Sequence, residues 1–248
     1  MKLLMVIADG FEDTEAIATL DVLERGKIAV DLASLMKRKE IVMKSNLKIM
    51  VPYLIEEINY QSYDGIIIPG GPASFKIMPK MPIVFEMITY FVKANKLVAA
   101  ICAAPHLIGK LGYLNDHNYT VHPGFEDQII DGNYLKDEGV VVDKNIITAK
   151  SMFYSIEFGL AIYNYFYGEE KTSILRNACQ GEKWKKELMF LFYMGEIILK
   201  SFITYSIVLY FKWKRLSRHF VDFALDYLRI VKKEMNLFKN NAIIKMVV

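Results

Sequence analysis

The stretch Ala99-Ala100-Ile101-Cys102-Ala103-Ala104-Pro105-His106 decides the fold. The apolar run Leu97–Ile101 has the composition of a buried strand, and it ends at a cysteine followed by small residues and a proline. The apolar spacing after Pro105 predicts a helix, so the segment has the order strand, tight turn, helix that is typical of a nucleophile elbow. A thiol at a helix N-terminus is expected to have a lowered pKa. From this segment alone, a buried cysteine acting as a small hydrophobic residue remains the alternative.

The composition sets limits on partners and compartment. The chain has 248 residues, is 53% hydrophobic and carries 31 basic and 28 acidic residues for a net charge of +3. This near balance gives no indication of nucleic acid as a partner. With Cys102 and Cys179 as its two cysteines, the chain is expected to lack a disulfide framework and to reside in the reducing cytoplasm. The apolar N-terminal run is too short for a secretory signal and is predicted to be the first buried strand.

Strand-like and helix-like stretches alternate along residues 1–168. Continuous apolar runs predict strands at Leu3–Ala8, Ile28–Leu35, Gly65–Ile68, Leu97–Ile101, Val140–Val142 and Ile146–Thr148, and an alternating pattern predicts a hairpin over Ile41–Val51. Helical spacing predicts helices over Thr14–Gly26, Ile83–Ala94 and Ile156–Tyr167, the first with Asp13 or Thr14 as N-cap and Gly26 as C-cap. The pattern predicts an α/β fold whose mainly parallel sheet is covered on both faces.

The chain changes character after Gly168. Residues 169–186 are polar and are predicted to form a linker, and residues 187–248 are predicted to be a helical, apolar C-terminal extension of unknown role. The run Leu188–Phe211 is long enough to span a bilayer. Its apolar residues contribute roughly −4 to −8 kcal/mol to insertion, whereas Glu196 and Lys200 cost roughly +5 to +7. A long amphipathic helix that packs on the domain, a partner or a membrane surface is therefore favoured over a transmembrane span.

Three further segments lie at predicted strand ends. Glu15 follows the first strand in the loop and helix start Asp9–Glu15, and in a parallel sheet this loop shares an edge with Cys102. The double glycine of Pro69-Gly70-Gly71-Pro72 would let backbone N–H groups approach a ligand. His122 lies at the predicted end of a short strand, where it could activate a thiol.

Each of these signals has an ordinary alternative. Acidic residues are common at helix N-termini, double glycines occur in plain turns, and a lone histidine is more often structural. His106 falls one turn beyond Cys102, and His117 lies in a polar loop that is expected to be solvated. None of the four histidines has metal-ligand spacing with a cysteine or carboxylate, so no metal site is expected.

Taken together, the order and spacing of these motifs resemble the ThiJ/PfpI family, the family of the Parkinson's-disease-associated deglycase. The resemblance rests on Asp9-Gly10-Phe11-Glu12 with Glu15, Tyr63–Gly71, Ala99–Pro105 and His122–Glu126, and covers about residues 1–168. It implies a flavodoxin-like three-layer sandwich within the class I glutamine-amidotransferase-like superfamily, usually a homodimer. By position, it implies that Cys102 is the nucleophile, Glu15 its carboxylic acid partner and His122 the nearby histidine. It further implies that Gly71 and Ala103 are the backbone oxyanion donors.

Two departures from the family pattern affect the expected chemistry. Protease-like members have a histidine directly after the cysteine, and Ala103 at this position argues against peptidase activity. The glyoxalase/deglycase-like branch usually has Gly-Pro-Gly-Thr where this chain has Ser151-Met152-Phe153-Tyr154, and the two aromatic residues are expected to narrow or reshape the pocket.

The resemblance thus implies a cofactor-free cysteine enzyme that acts on small α-oxoaldehydes such as methylglyoxal, or on their early adducts. The alternative is a cysteine-based sensor of oxidative stress without turnover, in which Glu15 would hydrogen-bond the oxidised thiol. A chaperone-like or membrane-associated stress protein is a variant of that alternative, suggested by the apolar tail.

Overall fold

A computed structural model of the chain describes residues 1–182. The predictions for residues 187–248, including the run Leu188–Phe211 and its Glu196–Lys200 pair, lie outside these described residues. Residues 1–182 form one compact unit. No helix within this part of the chain is long and apolar enough to cross a membrane.

The unit is built from eleven strands and five α-helices. The strands are β1 (Lys2–Ile7), β2 (Ala29–Ser34), β3 (Glu40–Val42), β4 (Lys48–Met50), β5 (Tyr53–Leu54), β6 (Gly65–Ile68), β7 (Leu97–Ile101), β8 (Asn118–Tyr119), β9 (Asn133–Tyr134), β10 (Val140–Asp143) and β11 (Ile146–Ala149). The helices are α1 (Asp13–Arg25), α2 (Pro82–Lys93), α3 (Pro105–Gly109), α4 (Ser155–Tyr167) and α5 (Glu169–Cys179).

Seven strands form the central sheet in the order β10-β11-β7-β6-β1-β2-β5. All neighbours are parallel except the antiparallel pair of β10 and β11. From β1 the chain moves outward through α1 to β2, whereas from β6 it moves the opposite way through α2 to β7. Right-handed crossovers in opposite directions place α1 and α2 on opposite faces of the sheet. The fold is therefore the flavodoxin-like α/β sandwich that the family resemblance implies.

The strand order reverses between β1 and β6. Ligands in open α/β sheets bind at the carboxyl ends of the strands beside such a reversal, because the loops diverge there. The loop after β1, the glycine loop after β6 and Cys102 after β7 all lie at this edge. β1, β6 and β7 are almost fully buried, which gives the edge a rigid base.

The ends of α1 differ from the prediction. Its N-cap is Glu12, without a side-chain cap, rather than Asp13 or Thr14. The Asp13 carboxylate instead accepts hydrogen bonds from the backbone and hydroxyl of Ser45 in the predicted hairpin. Gly26 is the C-cap as predicted, but the left-handed residue is Lys27, with φ of 60°.

The predicted linker is wrong for residues 169–179, which form α5. This helix packs on α4, buries Thr172 and Leu175, and joins it through an ion pair between Arg176 and Glu157 at 2.5 Å. The buried side chains dock α5 on α4, although most of the remaining residues of the helix are polar or charged. The α/β unit therefore extends past Gly168, to about Glu182.

Candidate active site

Cys102 lies at the sharp turn between β7 and α3. Its backbone has φ of 64°, a left-handed conformation that costs a non-glycine residue roughly 1–2 kcal/mol. The turn is held from the neighbouring strand, since the Cys102 N–H donates to the Ala149 carbonyl at 2.8 Å. The strained backbone presents the thiol at the strand end, as the predicted nucleophile elbow requires.

Glu15 projects from the first turn of α1 into the same edge and is only 1% exposed. Its Oε2 accepts a hydrogen bond from the Gly70 N–H at 2.8 Å. Its Oε1 is buried and has no hydrogen-bond partner among residues 1–182. Burial raises the pKa of the Glu15 carboxyl from 4.5 to about 7, although interactions with Cys102 and with the Gly70 N–H oppose the rise. A carboxyl with this pKa can both accept and donate a proton near neutral pH.

The two glycines allow this close approach. A Cβ on Gly70 would lie 2.6 Å from the Cys102 Cβ and 2.7 Å from Glu15 Oε2. Gly71 has φ of 76°, and a Cβ there would lie 2.5 Å from the Glu12 backbone nitrogen. The double glycine is thus required by packing between the loops after β1, β6 and β7.

Burial raises the pKa of the Cys102 thiol to about 12, and the neighbouring Glu15 charge adds to the rise. The backbone N–H groups of Gly71 and Ala103 act to lower the pKa of the thiol, but by less. The prediction that the helix N-terminus lowers the pKa of the Cys102 thiol is therefore wrong, because the pKa is raised. The reason is that α3 has only five residues, whereas burial and the nearby carboxylate both disfavour the thiolate.

The histidines take three different positions. The His122 backbone N–H donates to the Cys102 carbonyl at 2.9 Å, but the exposed ring lies with Nδ1 2.9 Å from the Pro123 carbonyl. It follows β8 by three residues rather than ending a strand. His106 is fully buried in α3. The expectation that His117 is solvated is wrong, because its ring lies 3.6 Å from Asp143 and only 15% of its side chain is exposed.

The β3–β4 hairpin is a part of the site that sequence reasoning missed. The hairpin itself was predicted, but its contacts with the loop after β1 were not. Lys44 at its tip binds the Glu12 carboxylate at 2.6 Å and donates its N–H to the Phe11 carbonyl at 3.0 Å. Arg38 similarly pairs with Asp9 at 2.5 Å. The signal in the sequence that could have predicted these contacts is the opposite charge of the acidic residues in segment 9–13 and the basic residues in segment 38–44.

The segment 151–154, in which the chain departs from the family pattern, lies between β11 and α4. Met152–Tyr154 forms a short 3-10 turn before α4. Phe153 is 81% exposed, and the ring of Tyr154 covers Gly139, where an added Cβ would lie 2.1 Å from it.

Among the described residues, no group of three or more His, Cys, Asp or Glu side chains is arranged to hold a metal ion.

The fold and site define a class of protein, the α/β sandwiches with a cysteine elbow beside a buried carboxylic acid. The model of the DJ-1/PfpI family matches residues 1–164, so the chain belongs to this family. The resemblance to the ThiJ/PfpI pattern is thereby confirmed.

Individual relatives agree with this assignment. The chain is 35% identical over 178 residues to Protein DJ-1 homolog B of Arabidopsis thaliana, a match covering 71% of this chain and 40% of that longer protein. It is 31% identical to the glutathione-independent glyoxalase DJR-1.2 of Caenorhabditis elegans, covering 71% of this chain and 95% of the relative. The crystal structure of Drosophila melanogaster DJ-1beta superposes with a TM-score of 0.68 at 27% identity, covering 72% of this chain and 97% of that one.

Proposed function

We propose that this chain is a cofactor-free cysteine enzyme of glyoxalase or deglycase type, acting on small α-oxoaldehydes such as methylglyoxal or on their early adducts. The observation that carries the proposal is the pairing of a buried carboxyl, whose pKa is about 7, with the Cys102 thiol. The relative named as a glutathione-independent glyoxalase supports the same reaction class.

The reaction begins with transfer of the thiol proton to Glu15. The sulfur then adds to the aldehyde carbon and forms a hemithioacetal, because the raised thiol pKa makes the thiolate strongly nucleophilic once formed. In this proposal the backbone N–H groups of Gly71 and Ala103, which act to lower the pKa of the Cys102 thiol, also stabilise the oxygen that becomes negative beside the sulfur.

Glu15 next moves a proton between two carbons. After returning the thiol proton to the hemithioacetal oxygen, the Glu15 carboxylate takes the proton from the former aldehyde carbon, giving an enediolate. Glu15 then returns this proton to the adjacent carbon, and the hydroxyl proton of the hemithioacetal passes to the oxygen on that adjacent carbon. The product is a lactoyl thioester of Cys102. Water releases lactate and restores the thiol, so no external oxidant or reductant is consumed.

The test is lactate formation from methylglyoxal by the full chain in the absence of glutathione. Cys102→Ser is expected to abolish it, and Glu15→Gln to lower kcat by about 10²–10⁴-fold, the usual contribution of general acid–base catalysis. Cys179→Ser is the matched control and should keep full activity. Absence of lactate with the parent protein, or full activity in Cys102→Ser, would refute the proposal.

A second candidate is a cysteine-based sensor of oxidation. It is favoured by the same donors, because Gly71, Ala103 and a protonated Glu15 would also stabilise a sulfinate on Cys102. Intact-mass analysis after peroxide treatment distinguishes the two. A stable gain of two oxygen atoms at Cys102, in a protein that forms no lactate, would establish the sensor in place of the enzyme.

A further inference from the structure

The two peptide groups that flank Ala103 are bound by two histidines, His106 in α3 and His122 in the loop after β8. Its N–H is part of the peptide group whose carbonyl belongs to Cys102, and that carbonyl accepts the His122 backbone N–H at 2.9 Å. Its own carbonyl accepts the His106 backbone N–H at 3.2 Å and faces the His106 ring Nδ1 at 2.6 Å. Both peptide groups that flank Ala103 therefore receive a hydrogen bond from a histidine.

The His106 ring is oriented by burial. It is 0% exposed, its centroid lies 5.8 Å from that of Phe125, and its Nε2 has no partner among residues 1–182. Burial lowers the pKa of the ring, so the neutral form is favoured, and this form carries one N–H. Since a carbonyl oxygen only accepts, the proton lies on Nδ1 and is donated to Ala103.

The cost of this arrangement indicates a role for the ring. A buried polar atom without a partner costs about 1–3 kcal/mol, and an apolar side chain in the same place would avoid the penalty. What the imidazole adds is a bond to the carbonyl three residues earlier, which fixes the first turn after the nucleophile. That turn begins at Ala103, whose backbone N–H acts to lower the pKa of the Cys102 thiol.

We propose that His106 is a positioning residue, which aligns the Ala103 N–H through its ring Nδ1, and that His122 acts through its backbone N–H and not through its imidazole. The proposal rests on the function proposed above, because it assigns the two histidines to the oxyanion donor of that reaction. The His122 ring is exposed and directed at the Pro123 carbonyl, which leaves it free of the acid–base steps.

Two substitutions of His106 separate positioning from packing. His106→Asn places an amide N–H where Nδ1 stands, and can donate to the carbonyl at i−3. His106→Gln places its amide one bond further out, where Nε2 stands. We expect His106→Asn to stay within about threefold of the parent in kcat, and His106→Gln to lose about tenfold or more at little-changed KM, because a displaced oxyanion donor acts in the transition state.

Thiol reactivity gives a readout that does not depend on the reaction. The rate of Cys102 alkylation by iodoacetamide is measured against pH for each variant, together with the melting temperature. His106→Gln should alkylate more slowly and at higher pH than His106→Asn, since the Ala103 N–H stabilises the thiolate. His122→Ala keeps the backbone N–H and should match the parent in alkylation, kcat and pH profile. If His106→Gln does not fold, His106→Leu provides the donor-free comparison.

Equal losses in His106→Asn and His106→Gln, at equal melting temperatures, would overturn the positioning role of His106. A loss of about a hundredfold in His122→Ala with a changed pH profile would overturn the backbone-only role of His122. If the parent protein forms no lactate, the function proposed above fails, and the alkylation series alone still decides the placement of the Ala103 N–H.

Discussion

Glu15→Gln should stabilise the folded protein at alkaline pH while it lowers kcat. In the folded state the pKa of Glu15 is raised from 4.5 to about 7 because the carboxyl is buried. The folded protein therefore binds this proton more tightly than the unfolded chain does, and the associated stability is full below pH 4.5 and lost as the pH rises through 7. The rise of this pKa from 4.5 to about 7 corresponds to a loss of folding stability at alkaline pH on the order of 3 kcal/mol.

Glutamine keeps the shape of the side chain and an oxygen for the Gly70 N–H, but it carries no charge. Denaturant unfolding of the full chain at pH 5 and pH 8 measures the effect. Relative to the parent, the free energy of unfolding of Glu15→Gln should rise by about 2–3 kcal/mol more at pH 8 than at pH 5. Glu24→Gln, which removes an exposed carboxylate from the same helix, is the control and should show little difference. An equal effect of Glu15→Gln at both pH values would refute the assignment of a buried, titrating carboxyl.

Two further predictions follow from packing. Gly70→Ala should lower kcat/KM for lactate formation by about a hundredfold, because its Cβ would displace Cys102 and Glu15. The control is Gly159→Ala, whose Cβ would lie 2.9 Å from Val22 between α1 and α4, and which should lower the melting temperature but not turnover. Equal activity in the two variants would contradict the tight approach of the loops. A chain that ends at 182 should melt cooperatively. A chain that ends at 168 should lose at least about 2 kcal/mol of stability in denaturant unfolding, since it lacks the buried Leu175 and the Arg176–Glu157 pair. Equal stability of the two chains would show that α5 is dispensable.

The elements of the sheet could be predicted because their signals are local. Continuous apolar runs such as Leu97–Ile101 have no exposed face, so they fit the buried strands of a parallel sheet. The turn at Cys102 and the double glycine were likewise predictable, since both follow such runs directly. Helix α5 was missed because most of its residues are polar or charged and its buried apolar face is limited to Leu175.

The electrostatics of the site could not be predicted from the sequence. Three acids, Glu12, Asp13 and Glu15, precede or begin α1, and only the fold decides that the first two bind the hairpin and the third is buried beside the thiol. The pKa of Cys102 depends on the same packing, because burial outweighs the backbone N–H groups that favour the thiolate.

The pairing of Cys102 with Glu15 is tested most directly by the pH dependence of Cys102 alkylation in the parent protein and in Glu15→Gln. In the parent, the two groups titrate as a pair, and the rate should rise with an inflection near pH 7, where the first proton leaves the pair. In Glu15→Gln this inflection should vanish, and Cys102 should titrate as a single group with a pKa below the value of about 12 that it has beside the carboxylate. Superimposable profiles for the two proteins would contradict the account.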